Sequence, residues 1–136
     1  SSKDKDLQRF RIYNDYQSTK RVKFGPWYGD AEDHPAGHSC RLLNDCVTEF
    51  GAQGLELDAA LVAWGTDFRR LNGKWSTSKA GGYDKSVQVR DPYQLRLNSY
   101  RVLLTRGREA TVVFVPPLAE MDETFEYLTA CGFTST

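Results

Sequence analysis

The chain has 136 residues and equal numbers of basic and acidic side chains, so its formal net charge is zero. Hydrophobic residues make up 40% and aromatic residues 12%, which suffices for one core and argues against intrinsic disorder. No apolar run approaches the roughly 18 residues of a membrane span, and no heptad or longer repeat is present. These properties predict one soluble globular domain over residues 1–136 with no membrane partner.

Four potential metal ligands lie close together in the sequence: His34, His38, Cys40 and Cys46. Their spacing matches no common zinc pattern, since structural zinc sites usually pair closely spaced cysteines. We therefore interpret them as free thiols and loop histidines and predict no metal site. The odd cysteine count and the lack of a recognisable export signal favour a reducing, cytoplasmic location.

Charge is distributed unevenly along the chain. Residues 69–108 contain ten basic and two acidic side chains, a net charge of +8, whereas residues 1–68 carry −3 and residues 109–136 carry −5. Such segregation predicts an anionic partner such as nucleic acid or phosphate. The alternative is that folding distributes these side chains over several faces.

Few regular elements are predicted in the first third of the chain. The alternation over residues 10–12 favours a short strand. Glycines and prolines indicate a loop over residues 23–37, with Trp27 and Tyr28 as its anchors to the core. A helical turn is expected to begin at Ser39, which would cap it.

From residue 45 onward, predicted strands alternate with helices. Brief strands are expected over 46–48 and 111–115, and the apolar run 59–64 predicts a strand buried on both faces. Polar and glycine residues predict a turn over 50–54. The alternation of strands and helices indicates an α/β fold with a largely parallel sheet.

Local sequence signals predict two helices and a hairpin. Asp91 is the expected N-cap and Pro92 the first residue of the first helix. Asn72-Gly73 predicts a tight β-hairpin, and Gly132 is expected to end the last helix. The predicted buried stripes are Leu97, Tyr100, Leu103 and Leu104 in the first helix, and Leu118, Met121, Phe125 and Leu128 in the last.

The segment 48–58 is the first candidate functional segment, because it joins two predicted strands at a sheet edge. Ligands of α/β proteins bind at such edges. The segment contains Gln53, a conformationally permissive Gly54, and the carboxylates Glu56 and Asp58. The alternative is a solvated loop, and residue types alone do not decide between the two.

The segment 100–108 is the second candidate, where a predicted helix meets a strand. It contains three arginines, and Gly107 stands between two of them. The planar, permanently charged guanidinium suits phosphate oxygens. The alternative is that Arg101 forms a surface ion pair and Arg106 caps the helix C-terminus.

Together, over about residues 39–116, the two segments resemble the C-terminal RecA-like domain of superfamily-one helicases of the UvrD/RecD type. They look most like the uncharacterised bacterial and Schlafen-like helicase families. In the fifth helicase motif, T-x-x-x-x-Q-G-x-E-x-D, the matching residues are Thr48, Gln53, Gly54, Glu56 and Asp58. In the sixth motif, they are Tyr100, Leu104, Thr105, Arg106 and Gly107.

The resemblance implies a RecA-like parallel sheet with helices on both faces, and an ATP site shared with a second domain. It implies that Arg106 is an arginine finger for the γ-phosphate and that Glu56 accepts hydrogen bonds from the ribose. It also implies that Thr48 contacts a nucleic-acid phosphate. The further nucleotide-binding residues that it implies are Gln53, Gly54, Arg101 and Thr105.

No part of the chain matches the phosphate-binding motif G-x-x-x-x-G-K-[ST] or an acidic magnesium motif. We therefore expect a fragment of a larger parent protein whose N-terminal RecA-like domain supplies both. ATP with Mg²⁺ is the expected ligand of the parent, whereas this chain alone should bind no cofactor tightly and be inactive. One alternative is a non-catalytic nucleotide- or nucleic-acid-binding module with a degenerate RecA-like fold. Another is an unrelated α/β protein that matches by accident.

A strand-binding surface is expected in an inserted hairpin and loop over about residues 66–91. Arg69, Arg70 and Lys74 would contact phosphates of single-stranded DNA or RNA, and Trp75 would stack on a base. The alternative is that Trp75 packs onto the sheet and anchors the insertion.

Overall fold

A computed structural model describes residues 4–80 and 91–135, so residues 81–90 of the predicted insertion lie outside the described residues. In chain order, the helices and strands are α1 (Tyr16–Lys20), α2 (Phe24–Gly29), β1 (Leu57–Ala63), β2 (Arg69–Leu71), β3 (Lys74–Ser76), α3 (Pro92–Leu104), β4 (Gly107–Phe114) and α4 (Asp122–Ala130). Short 3-10 helices cover Asp6–Phe10, Cys40–Leu42 and Ala119–Met121.

Strands β1 and β4 pair in parallel, with Leu61 opposite Val112 and Ala63 opposite Phe114. The chain between them contains the β2–β3 hairpin and α3, and parallel pairing requires a crossover connection of this kind. The predicted α/β class and parallel pairing are confirmed, and the arrangement is compatible with a RecA-like domain.

The β1–β4 pair is buried on one face, not on both as predicted for residues 59–64. Ala60 and Val62 point into the core and are 7% and 5% exposed. Leu61 and Val112 on the opposite face are 57% and 59% exposed. An apolar run alone does not specify what covers each face of a strand.

An aromatic cluster at the carboxyl end of β1 forms the centre of the core. Trp64, Phe68 and Tyr100 are nearly fully buried and pack with Met121 and Leu128. The Trp64 and Tyr100 ring centroids lie 4.3 Å apart. The core therefore joins the end of β1 to α3 and α4.

Helix α3 begins as predicted, because the Asp91 side chain accepts a hydrogen bond from Gln94 N at 2.9 Å and Pro92 follows it. Its buried face differs from the prediction. Arg96, Ser99 and Tyr100 are buried, whereas Leu103 is only half-buried. A charged residue thus occupies a core-facing position of α3.

Three predictions for the first fifty residues are wrong. Residues 10–12 form no strand, since the 3-10 helix Asp6–Phe10 ends at Arg11 in a left-handed conformation (φ 62°). Residues 46–48 are also irregular. The predicted loop 23–37 contains α2, in which Pro26 occupies the first turn and sacrifices no helical hydrogen bond. The turn capped by Ser39 is confirmed.

The hairpin and the C-terminal helix end at the predicted residues. Asn72 and Gly73 both have positive φ, as a two-residue hairpin turn requires. After α4, Gly132 N donates to Thr129 O and Phe133 N to Leu128 O, which is a Schellman motif. The prediction of a buried Phe125 is wrong, since its side chain is 47% exposed.

Within the described ranges, no helix combines the length and the apolar character needed to cross a membrane.

Candidate functional site

The predicted turn before β1 is confirmed and covers residues 49–54. Ala52 N donates to Thr48 O at 3.0 Å to close its first half. Gly54 has φ +79°, a conformation that glycine adopts without strain. Among the fifth-motif residues, Thr48 is half-buried, and four are exposed to solvent: Gln53, Gly54, Glu56 and Asp58.

The C-terminal end of α3 lies beside this turn and carries the second candidate segment. Thr105 ends the helix, and its hydroxyl donates to Arg101 O at 2.9 Å. Arg101 is exposed and, in the described structure, forms no ion pair with Glu49 or Glu56. The Arg101 side chain is therefore accessible to solvent.

Arg106 joins the two segments through its side chain and its backbone. Its Nη1 donates to Leu55 O at 3.0 Å, and its Nε donates to Val102 O at 2.9 Å. Leu57 N donates to Arg106 O at 3.0 Å. The two candidate segments therefore meet where β1 and β4 begin, at the amino end of the strand pair.

These contacts also show that Arg106 caps α3, one of the two roles considered for it. Nη2 lies 3.4 Å from Thr105 Oγ1, so three hydrogen bonds engage the guanidinium. A guanidinium has five N–H donors. Two donors thus remain for an anion while the other three orient the group.

Gly107 allows β4 to begin directly after Arg106. A Cβ atom at this position would overlap the Ala110 carbonyl oxygen and approach Thr111 Oγ1 to 2.8 Å. The crowding coincides with an irregularity in pairing, because Leu57 pairs with Gly107 but Ala59 pairs with Ala110. A larger residue would displace the backbone that positions Arg106.

Thr48 and Arg106 line one open cleft of about 830 Å³. Apolar side chains from the exposed face of β1 and from the N-terminal segment line the same cleft, among them Leu7, Phe10 and Leu61. The structure thus places the predicted nucleic-acid contact Thr48 on the same cleft as the predicted finger.

A buried ionic cluster fastens α3 to the chain on both sides of β1. Arg96 Nη1 lies 3.1 Å from Asp67 Oδ2 and 3.4 Å from Glu49 Oε1. Tyr100 OH donates to Asp67 Oδ1 at 2.8 Å and accepts from Gly65 N at 2.9 Å. Burial raises the pKa of Tyr100 well above its ordinary value, and the Asp67 carboxylate raises it further.

Sequence reasoning did not single out Arg96, although this residue holds the segment that begins at Glu49. Arg96 lies four residues before Tyr100 and therefore on the same helix face, which could have indicated that it is buried. That signal is weak without knowledge of Glu49 and Asp67 as partners.

The β2–β3 hairpin presents fewer groups to solvent than predicted. Arg69 is 8% exposed, donates to Thr66 O, and lies 3.4 Å from Glu120. Trp75 is half-buried and stacks on Phe68 with ring centroids 4.6 Å apart. This packing agrees with the alternative in which Trp75 anchors the insertion. Arg69 was expected to project from the hairpin, and the structure instead buries its side chain.

Arg70 and Lys74 remain on the outer side of the hairpin. The Arg70 guanidinium lies over the Tyr127 ring at 4.1 Å and donates to Gly73 O. Lys74 is exposed. The hairpin tip is held by Glu123, whose carboxylate accepts from Asn72 N and Gly73 N at 2.9 and 3.0 Å.

The positive charge of residues 69–108 is partly neutralised in the fold by the acidic flanking segments. Glu120 binds Arg69 and Lys79, and Asp6 also binds Lys79. The hydrogen bond that Lys79 Nζ donates to Glu120 raises the pKa of Lys79 most, and the bond that it donates to Asp6 raises it further. The predicted alternative, that folding distributes the basic side chains, therefore applies to a part of this segment.

The four potential metal ligands have other surroundings. Cys46 Sγ donates to Tyr13 O, and His34 Nδ1 lies 3.4 Å from Asp30. Over residues 4–80 and 91–135, no group of three or more His, Cys, Asp or Glu side chains is arranged to hold a metal ion.

The parallel α/β frame is compatible with a RecA-like domain, and the candidate segments 48–58 and 100–108 adjoin within it. The family described as Schlafen group 3, DNA/RNA helicase domain, matches residues 1–117. This match spans 117 of 136 residues, and the chain belongs to that family. Comparison with curated proteins gives no significant match, and neither does comparison with solved structures.

Proposed function

We propose that this chain is the second RecA-like half of a nucleic-acid-dependent ATPase core of the superfamily-one, UvrD/RecD type. The observation that carries the proposal is the contact of Arg106 Nη1 with Leu55 O at 3.0 Å, which joins the two motif segments. Family membership supports the helicase-related part of the proposal. In this arrangement the N-terminal RecA-like domain of the parent faces the edge that carries Arg106.

Arg106 acts as the arginine finger for ATP bound between the two domains. Its bonds to Val102 O and Leu55 O hold the guanidinium in place, so little reorganisation is needed when charge develops on the γ-phosphate. Its two remaining N–H donors suit phosphate oxygens. Such a residue accelerates phosphoryl transfer by about 10³–10⁵.

The exposed residues around Arg106 complete this side of the nucleotide site. The Glu56 carboxylate accepts hydrogen bonds from the ribose hydroxyls, and Arg101 with Thr105 lies toward the phosphates. In this proposal the other RecA-like domain holds Mg²⁺. The remaining members on this side are Gln53 and Gly54.

Single-stranded DNA or RNA is bound next to the nucleotide site. Thr48 contacts a phosphate of the strand. Because Thr48 lines the same cleft as Arg106, strand binding and ATP hydrolysis are coupled over a short distance. On the hairpin, Lys74 and Arg70 are the cations that remain accessible to a strand. Arg69 and Trp75 support the hairpin and do not bind the strand directly.

A non-catalytic binding module is the second candidate. It is favoured by one observation: the bonds of Arg106 to Val102 O and Leu55 O would hold α3 and the turn together even without ATP. In that case Arg106 is a structural cap.

ATP hydrolysis by the full-length parent, with and without single-stranded DNA or RNA, tests the proposal. We expect turnover that rises when a single strand is added, and no turnover above the buffer blank for the 136-residue chain alone. A parent that binds single strands without hydrolysing ATP would support the second candidate. Turnover above about 1 s⁻¹ by the isolated chain would contradict the fragment proposal.

A further inference from the structure

Two carboxylates from the acidic ends of the chain meet on one lysine of the basic segment. Lys79 Nζ donates to Glu120 Oε1 at 2.5 Å and to Asp6 Oδ2 at 3.3 Å. Asp6 comes from the N-terminal part of the chain, with a net charge of −3, and Glu120 from the C-terminal part, with a net charge of −5. Both acidic parts of the chain are therefore fastened to the same cation.

The two carboxylates are also held by contacts that do not involve Lys79. Thr66 Oγ1 donates to Asp6 Oδ2 at 2.7 Å. Glu120 Oε2 lies 3.4 Å from Nε of the buried Arg69. The Lys79 side chain, by contrast, is 43% exposed and has a flexible four-carbon stem. The fold thus fixes the carboxylates in place, whereas the ammonium group is free to move away from them.

The Glu120–Lys79 pair lies on the side of the hairpin that carries Lys74. Lys74 and Ser76 are two residues apart in β3 and share a face, and Ser76 pairs with Arg69 across the hairpin. Glu120 contacts Arg69 and Lys79 at the base of this face, and Lys74 lies at its tip. Strand β3 is three residues long, about 10 Å, so a short stretch of single-stranded nucleic acid can reach both lysines.

We propose that Lys79 is a phosphate-binding residue for the single strand and that Glu120 and Asp6 compete with the strand for it. The proposal rests on the proposed function, in which Lys74 and Arg70 of the hairpin are the cations accessible to a strand. A carboxylate and a phosphate offer the ammonium group the same kind of charged oxygen. Because exposed ion pairs contribute little stability, a strand displaces the carboxylates, and they lower its affinity without closing the site.

This competition alters the dependence of strand binding on salt. A phosphate contact releases counterions, so the logarithm of the binding constant falls with the logarithm of the salt concentration by about 0.7 per phosphate for single strands. When Lys79 exchanges Glu120 for a phosphate, the released carboxylate takes up counterions and offsets this effect. Removing the competing carboxylate charges removes the offset and restores the full contribution of Lys79.

The double variant Asp6→Asn/Glu120→Gln of the full-length parent removes both competing charges and keeps the shapes of the side chains. Fluorescence anisotropy of a labelled thymidine oligonucleotide, measured over a range of salt concentrations, follows strand binding. The slope should steepen by about 0.7, which corresponds to about fivefold tighter binding at about 0.1 M salt. Adding Lys79→Gln should cancel this gain. If the double variant does not fold, Asp6→Asn alone should give a smaller gain that Lys79→Gln also cancels.

Asp33→Asn/Glu126→Gln is the matched control, because it makes the same change in charge at two exposed residues that form no ion pair among the described residues. Equal gains for the control and the double variant would overturn the proposal, since net charge alone would explain them. A gain that persists after Lys79→Gln, or unchanged affinity in a parent that binds the oligonucleotide, would also overturn it. Absence of binding by the wild type and all variants would refute the strand binding of the proposed function as well.

Discussion

Replacing Arg96 with leucine removes the cation from the buried ionic cluster and should destabilise the domain strongly. Arg96 is 5% exposed and lies 3.1 Å from Asp67 and 3.4 Å from Glu49. Removing one partner of a buried ion pair costs about 3–5 kcal/mol, and burying a leucine side chain offsets at most about 2 kcal/mol. We expect the free energy of unfolding to fall by about 1–5 kcal/mol, with a central value of about 3 kcal/mol.

Urea denaturation of the 136-residue chain, followed by circular dichroism, measures this loss. With a slope of about 1–3 kcal/mol per molar urea, a loss of about 3 kcal/mol lowers the midpoint by about 1–3 M. Arg101→Leu is the control, because Arg101 lies in the same helix and is exposed. It should change stability by less than about 0.5 kcal/mol. Equal midpoints for the two variants would refute the assignment of Arg96 as a buried structural cation.

Three further predictions concern the hairpin and the core. Hydrogen bonds from Gly73 N and Asn72 N lower the pKa of Glu123 in the folded protein. The Glu123 carboxylate therefore stabilises the folded state above the unfolded pKa of about 4.3, and this stabilisation is lost as the pH falls through the lower folded pKa. The stability difference between wild type and Glu123→Gln should therefore be present at pH 7 and vanish in acid; a constant difference would contradict this. The raised pKa of Tyr100 gives the opposite pH dependence of stability. The protonated Tyr100 hydroxyl stabilises the folded state fully below the unfolded pKa of about 10, and this stabilisation is lost as the pH rises above that value. Wild type should then lose stability more steeply than Tyr100→Phe between pH 9 and 11, and parallel urea midpoints would argue against it. Trp75→Ala should lower the free energy of unfolding by about 3 kcal/mol because Trp75 packs in the aromatic core; weaker single-strand binding at unchanged stability would restore the base-stacking role.

Elements with strong local signals could be predicted from the sequence. Helix α3 begins at Asp91-Pro92, where a side-chain cap and a fixed φ act within one turn. The hairpin turns at Asn72-Gly73 because few residue pairs tolerate two positive φ angles. Both signals act over a few residues and do not depend on the rest of the fold.

Features that depend on distant partners could not be predicted. Arg96 is buried because Glu49, 47 residues away, and Asp67 balance its charge. On β1, Leu61 is exposed whereas Ala60 and Val62 are buried. The apolar run 59–64 is equally compatible with a strand that is covered on one face and with one that is covered on both, so the sequence does not distinguish them. The irregular start of the chain depends on Arg11, whose positive φ no local pattern indicated.

The two sequence motifs indicated which residues belong to the candidate site. The contacts between those residues depend on the fold and could not be read from the motifs. The sequence suggested both a finger and a helix cap for Arg106, and the structure shows the capping contacts while leaving donors available. Tyr28 was predicted to be a core anchor. Its ring is instead half exposed, because Trp27 takes the buried position of α2.

ATP turnover of the full-length parent carrying Arg106→Ala tests the central claim most directly. If Arg106 is the finger, turnover falls by about 10³–10⁵ while ATP binding stays nearly intact, because the interaction acts mainly on transition-state charge. Arg106→Lys should not restore turnover, since an ammonium lacks the planar fork. An Arg106→Ala variant that folds, binds ATP and keeps more than about a tenth of the wild-type rate, far above the residual activity expected without a finger, would contradict the account and leave Arg106 as the cap of α3.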